Sequence, residues 1–147
     1  MNNKIIAPFL YRLIGTVFLL GSVSIAQAEI AVIAHKSNTQ HGVSVQDIAD
    51  MYLGKLRHFS NGKTVKLVEP RKGSETRRKF NSAVLNMSER EISRYWSKRR
   101  FTGKVKPPKT LNSDREIREW VADTPEGLGY IDGKSLDGSV KLLLIIP

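Results

Sequence analysis

The chain has 147 residues and a formal net charge of +10, with 24 Lys and Arg against 14 Asp and Glu. That length leaves room for one compact domain beyond a targeting segment and excludes a second full one. There is no cysteine, which excludes disulfides, thiol catalysis and cysteine-ligated metal, so stability must come from packing.

The N-terminus decides the compartment. Lys4 and Arg12 give a positive start, residues 13–20 with 23–25 form a mainly apolar run, and Ala26-Gln27-Ala28 has the small-x-small pattern of a cleavage site. Residues 1–28 read as a secretory signal peptide cut after Ala28, which makes the mature protein periplasmic. An uncut membrane anchor is the alternative, but Gly15, Gly21 and Ser22 interrupt the apolar run, which is short for a span of about 20 residues. Cleavage leaves residues 29–147, 119 in all, as a single domain with net charge +8, since Lys4 and Arg12 depart with the leader. A basic surface suits anionic partners. Export argues against nucleic acid and leaves inorganic oxyanions, acidic envelope polymers, anionic membranes or a merely solvated face.

Residues 29–35 form the first predicted strand, apolar without a break from Ile30 to Ala34, as a central strand covered on both faces would be. Ser44 then opens a helix with Val45, Ile48, Ala49, Tyr52 and Leu53 on one side, closed by Gly54. Asn61-Gly62 marks a turn into a strand over 64–68. Pro70 and Gly73 break that strand, and Ser74 caps a helix expected to run to about Asn86 with Phe80, Ala83, Val84 and Met87 inward. Ser88 and Glu91 form a capping box for the next helix, which carries Ile92, Tyr95 and Trp96 and ends in Lys98-Arg99-Arg100. Residues 101–111 read as a rigid loop in which Pro107-Pro108 forbids helix. A second capping box, Ser113 with Glu116, opens a helix burying Ile117, Trp120 and Val121, stopped at 124–127. Strands follow over 128–131 and 140–146, with Asp132-Gly133 turning between. Strands alternating with helices predict an α/β domain, a mixed sheet flanked by helices.

The stretch 68–80 carries the chemistry. A helix start has unpaired amides and the positive end of the helix dipole, and here Ser74, Thr76, Arg71 and Arg77 surround it, so an oxyanion such as phosphate is the natural guest. The plainer alternative is an empty cap whose dipole is met by Glu75 alone. Elsewhere the sequence offers no catalytic residues, metal ligands or cofactor site. His35, His41 and His58 lack zinc spacing, no Gly-x-Ser-x-Gly elbow or nucleotide-binding glycine loop occurs, and Ser74 has no identifiable base.

The motifs in order resemble the substrate-binding proteins of phosphate ABC transporters, of the type 2 periplasmic binding protein-like fold, and specifically their short exported members. The matching pieces are residues 31–38, Asp47 to Lys55, Arg71-x-Gly73-Ser74-x-Thr76-Arg77-x-x-Phe80, Tyr95-Trp96 with Phe101-Thr102-Gly103, Pro107-Pro108, and Thr124-Pro125-x-Gly127-x-Gly129-Tyr130-Ile131. The resemblance implies Arg71, Gly73, Ser74, Thr76 and Arg77 as ligands of phosphate or a related oxyanion, in a non-catalytic solute-binding protein serving a membrane transporter. It covers one of the family's two lobes. Either affinity is therefore weak, or a partner protein or a second copy in a homo-oligomer supplies the missing wall. The alternative function is an accessory protein that keeps the lobe and docks on an envelope partner through its basic face, including residues 98–100 and 104–109.

Overall fold

In the computed structural model, residues 29–100, 103 and 105–147 are described. The signal peptide read into residues 1–28 lies outside them, as do Phe101, Thr102 and Lys104 of the loop.

Strand β1 (Ile30–Ala34) is buried at every residue, because β4 and β5 pair antiparallel with it on either side. Helix α1 (Val45–Tyr52) starts on a full capping box, Ser44 Oγ accepting from the Asp47 N–H and the Asp47 carboxylate from the Ser44 N–H. Its buried side is Ile48, Ala49, Met51 and Tyr52. Val45, expected on that side, is 40% exposed. As the first helical residue its side chain tilts back toward the N-terminus and off the packed face.

Strand β2 (Lys66–Pro70) begins after an isolated bridge between Thr64 and His58. Helix α2 (Glu75–Phe80) then runs directly into a π-helical turn, Asn81–Leu85, ended by Asn86 in the left-handed conformation at φ 50°. The single helix expected over 74–86 thus changes winding after Phe80. The wider turn rotates the side chains that follow, so Asn81 and Val84 are buried, Met87 is half-buried, and Ala83, expected inside, is exposed.

Helix α3 (Glu89–Arg100) opens on the capping box of Ser88 and Glu91 and buries Ile92 and Trp96. The loop expected over 101–111 contains a strand, β3 (Lys109–Leu111). Pro107-Pro108 excludes helix but leaves the backbone extended, and a short strand led in by proline suits a sheet edge. At the start of α4 (Asp114–Asp123), Ser113 Oγ accepts the Glu116 N–H, while the Glu116 carboxylate takes the Asn112 N–H, so the expected capping box is half made. Ile117 and Val121 are buried. Trp120 is only half-buried, with the Lys109 ammonium 5.6 Å from its ring centre. Strand β4 (Gly127–Asp132), a 3-10 turn (Gly133–Ser135) and β5 (Lys141–Ile146) complete the chain.

The five strands form one mixed sheet in the order β3-β2-β4-β1-β5, with β2 parallel to both β3 and β4. α1, α2 and the π turn pack on one face through Ile48, Tyr52, Phe80 and Val84, and α4 covers the other through Ile117 and Val121. This is the α/β architecture expected from the sequence. α4 crosses so close that a Cβ at Gly129 would stand 2.8 Å from Val68 Cγ1 and 2.9 Å from Ile117 Cγ2, which is why β4 carries glycine there. On the opposite face Phe80 stacks on Tyr130 at 3.7 Å, Tyr52 meets both rings edge-on, and its hydroxyl donates to the Val68 carbonyl at 2.8 Å. These contacts anchor the end of α2, and with it the turn that precedes α2, against the centre of the sheet.

Candidate oxyanion site at the start of the second helix

The turn between β2 and α2 is closed by a hydrogen bond from the Ser74 N–H to the Arg71 carbonyl at 3.2 Å. Gly73 sits at φ +81°, with nothing within 4 Å of where a Cβ would be. The demand for glycine there is conformational rather than steric. Ser74 caps α2, its Oγ accepting the Arg77 N–H at 3.3 Å. Arg78 Nη1 donates to the Gly73 carbonyl at 2.9 Å and fixes the turn from outside. Among the described residues, the amides of Glu75 and Thr76 find no acceptor, as expected of a first helical turn.

The structure brings Arg71, Gly73, Ser74 and Thr76 onto this one turn. Arg71 is exposed and unpaired among the described residues. Thr76 is half-buried and faces a recess of about 10 Å³ shared with Glu29, Ile30, Glu75, Lys79 and Asp132, room for about one water. Glu75 points outward and pairs with Lys79 at 2.9 Å, which holds its carboxyl below the usual range.

Arg77 goes elsewhere. Its side chain is 3% exposed, and Nη1 donates to Glu69 Oε1 at 2.8 Å and to the Pro70 carbonyl at 3.0 Å. Nε and Nη2 form a two-pronged pair with Glu89, both at 2.8 Å, and Asn81 Nδ2 adds a bond to the same carboxylate at 3.0 Å. The guanidinium therefore ties β2, α2, the π turn and α3 together beneath the turn, and only its backbone belongs to the cap. Burial pushes Glu69 up to about 7, with help from the Glu89 charge and against the pull of Arg77 and Lys72. For Arg77, burial works against the charge, yet Glu69 and Glu89 outweigh it and hold its pKa above the ordinary arginine value. Glu69 and Glu89 were not singled out in the sequence. The available signal was that Glu69 shares the inward side of β2 with Leu67, where an acid needs a partner.

A second feature is electrostatic. Arg90, Arg94 and Lys98 repeat every four residues on the exposed side of α3 and have no ion-pair partner among the described residues. Like charges at this spacing cost a helix about 0.2–0.5 kcal/mol per pair.

No protein-family model and no curated protein sequence matches the chain, whereas solved structures do. It is similar to a Clostridium perfringens protein assigned as a phosphate ABC transporter substrate-binding protein, solved with bound phosphate. The identity is 23% and the TM-score 0.64, over 79% of this chain and 45% of that one. It is also similar to an ABC-type phosphate transport receptor from Vibrio cholerae, at 18% identity and TM-score 0.62, over 79% and 46%. PstS from Borrelia burgdorferi matches at 14% identity and TM-score 0.61, over 79% and 47%. At these identities the likeness shows the fold, and the chain spans less than half the length of these structures. Its fold is that of a single binding-protein lobe.

Proposed function

We propose that this chain is an exported, non-catalytic solute-binding lobe that holds phosphate or a related oxyanion on the turn 71–76 and serves a membrane transporter. The ligands are the Arg71 guanidinium, the hydroxyls of Ser74 and Thr76, and the amides of Glu75 and Thr76. Arg77 contributes through its backbone and by holding the turn in place. The observation that carries the reading is the geometry of that turn: a left-handed glycine, a serine cap, and, among the described residues, two helix amides without acceptors and an unpaired arginine. The similar structures from Clostridium perfringens, solved with phosphate, and Vibrio cholerae, named for phosphate transport, support the choice of ligand. The leader pattern in residues 1–28 supports export to the periplasm.

Calorimetric titration of residues 29–147 with phosphate at low ionic strength tests this. Heat of binding that both Arg71→Ala and Thr76→Ala weaken, with unfolding temperature unchanged, is the expected result. No heat with phosphate, sulfate or arsenate would overturn it. The row Arg90, Arg94 and Lys98, exposed cations without a salt bridge among the described residues, favours a second reading, an accessory protein that docks on an anionic envelope partner through α3. That reading expects salt-sensitive capture of a partner, lost when the row is neutralised.

A further inference from the structure

Beyond the oxyanion turn, a cleft of about 220 Å³ opens between α3 and the edge of the sheet formed by β2 and β3. It shares none of Arg71, Ser74 or Thr76. Ile92, Trp96 and the Pro107-Pro108 pair give it apolar walls. The charges are sorted by depth. At the floor is Glu69, 8% exposed, with Oε1 on Arg77 and no hydrogen bond to its other oxygen among the described residues. Arg77 is already claimed by both oxygens of Glu89. Two carboxylates thus face one guanidinium, and the floor is negative whenever Glu69 is ionised. At the mouth stand two exposed cations, Lys72 and Arg100. Lys72 makes a 3.4 Å contact to Ser93 Oγ and attracts the Glu69 charge from above, and Arg100 has no side-chain partner among the described residues.

A buried carboxylate with a free oxygen below, cations above and apolar walls between are complementary to a dipolar molecule rather than to a simple anion. We infer that this cleft binds a small zwitterion, an amino acid or ω-amino acid. Its ammonium meets Glu69 at the floor, its methylenes lie against Trp96 and the prolines, and its carboxylate is held between Lys72 and Arg100. A volume of about 220 Å³ is room for a molecule of free amino-acid size. An ammonium at the floor also takes over the role of the proton on Glu69. Glu69 is pushed up to about 7, with Arg77, Glu89 and Lys72 as its charged neighbours and Tyr130 and Tyr52 buried nearby. Binding near neutral pH should therefore release a fraction of a proton.

The test uses glycine, β-alanine and 4-aminobutanoate as probes of increasing charge separation, with butyrate and butylamine as half-ligands, titrated calorimetrically into residues 29–147. The expected result is that at least one zwitterion binds, with each half-ligand about tenfold weaker, the loss of one charge-assisted contact. Its heat at pH 7 should depend on the buffer's ionisation enthalpy in the sense of proton release. Arg100→Ala, at an exposed position, should weaken binding about tenfold without lowering the unfolding temperature. Glu69→Gln should abolish the proton release. Absence of heat with all three zwitterions overturns the inference, as does butyrate binding equally well or affinity indifferent to Arg100→Ala. Phosphate binding stands or falls separately, since Arg71→Ala leaves this cleft untouched.

Discussion

Arg77 joins two demands in one side chain, since its amide closes the cap of α2 while its guanidinium neutralises acids from β2 and α3. Removing it leaves the buried Glu69 with only the more distant charge of Lys72, and breaking such a pair from one side typically costs about 3–5 kcal/mol. Arg77→Ala should lose stability of that order in urea unfolding at pH 7, and a loss below about 1 kcal/mol would mean the cluster is not holding the fold. Arg77→Lys should recover little, since one ammonium cannot make the two-pronged contact with Glu89 and also reach Glu69. Glu69 has the opposite pH signature from Asp47, Glu75, Glu91, Glu126 and Asp137, whose carboxyls are held low. Moved from 4.5 to about 7, chiefly by burial, it binds more protons folded than unfolded between those values. The stability it contributes is complete below about pH 4.5 and is lost as pH rises through 7, up to about 3 kcal/mol in all. Asp47, Glu91 and Asp137, held low by serine hydrogen bonds, act only at more acid pH. The difference between Glu69→Gln and the parent protein, followed by urea unfolding from pH 5 to 8, should therefore favour the variant increasingly with pH. A flat difference would refute the assignment. None of this was legible in the string, where Arg77 simply follows Thr76. Sequence spacing placed it in the first turn of α2, but the direction of its guanidinium depends on acids that come together only after β2 and α3 have packed.

Elements were legible where local chemistry alone decides them. The unbroken apolar run of β1 and the Ser88 capping box of α3 appear where their residues put them, because burial and capping act over a few residues. β3 was not legible, since three residues, two of them exposed, carry no pattern, and the strand exists because β2 offers it a parallel edge. The change from α to π winding at Asn81 was equally hidden. It is a tertiary compromise, Phe80 being stacked on Tyr130 and Asn81 bonded to Glu89, so the chain admits a wider turn between two fixed points. Asn86 ends that turn at φ 50°, and the Met87 N–H donates to the Asn81 carbonyl at 3.0 Å. Asparagine tolerates the left-handed region and glycine adopts it freely, whereas a Cβ without a polar group costs about 1–2 kcal/mol there. Asn86→Ala should destabilise by about 1 kcal/mol and Asn86→Gly by nothing measurable, compared by thermal unfolding. Equal losses in both would place the role of Asn86 in its side chain rather than in its backbone angle.

At the scale of the molecule, the alternation of strands and helices was enough to predict a mixed sheet between helical layers, because each amphipathic element has few ways to bury its apolar side. What alternation does not give is the second side of a binding site. The turn 71–76 lies at one end of the sheet, with Arg71 in solvent and Glu75 and Lys79 paired beside it, and the chain spans less than half of each structure it is similar to. An ion held from one side keeps much of its hydration, so each charge-assisted bond gives less than it would when enclosed. Two or three such bonds, set against the cost of immobilising the ion, suggest a dissociation constant for phosphate of about 1 mM, equivalent to about −4 kcal/mol. Exposure also makes the attraction open to screening. Raising NaCl from about 20 to 200 mM shortens the screening length from roughly 20 to 7 Å, so affinity should fall several-fold over that range. A buried, two-sided site would show little change. Titrations at the two salt concentrations, with the monomer confirmed by sedimentation, distinguish these cases. Weak binding that salt erodes fits a lobe whose other wall comes from elsewhere, and micromolar binding that ignores salt would mean that this chain encloses the ion by itself.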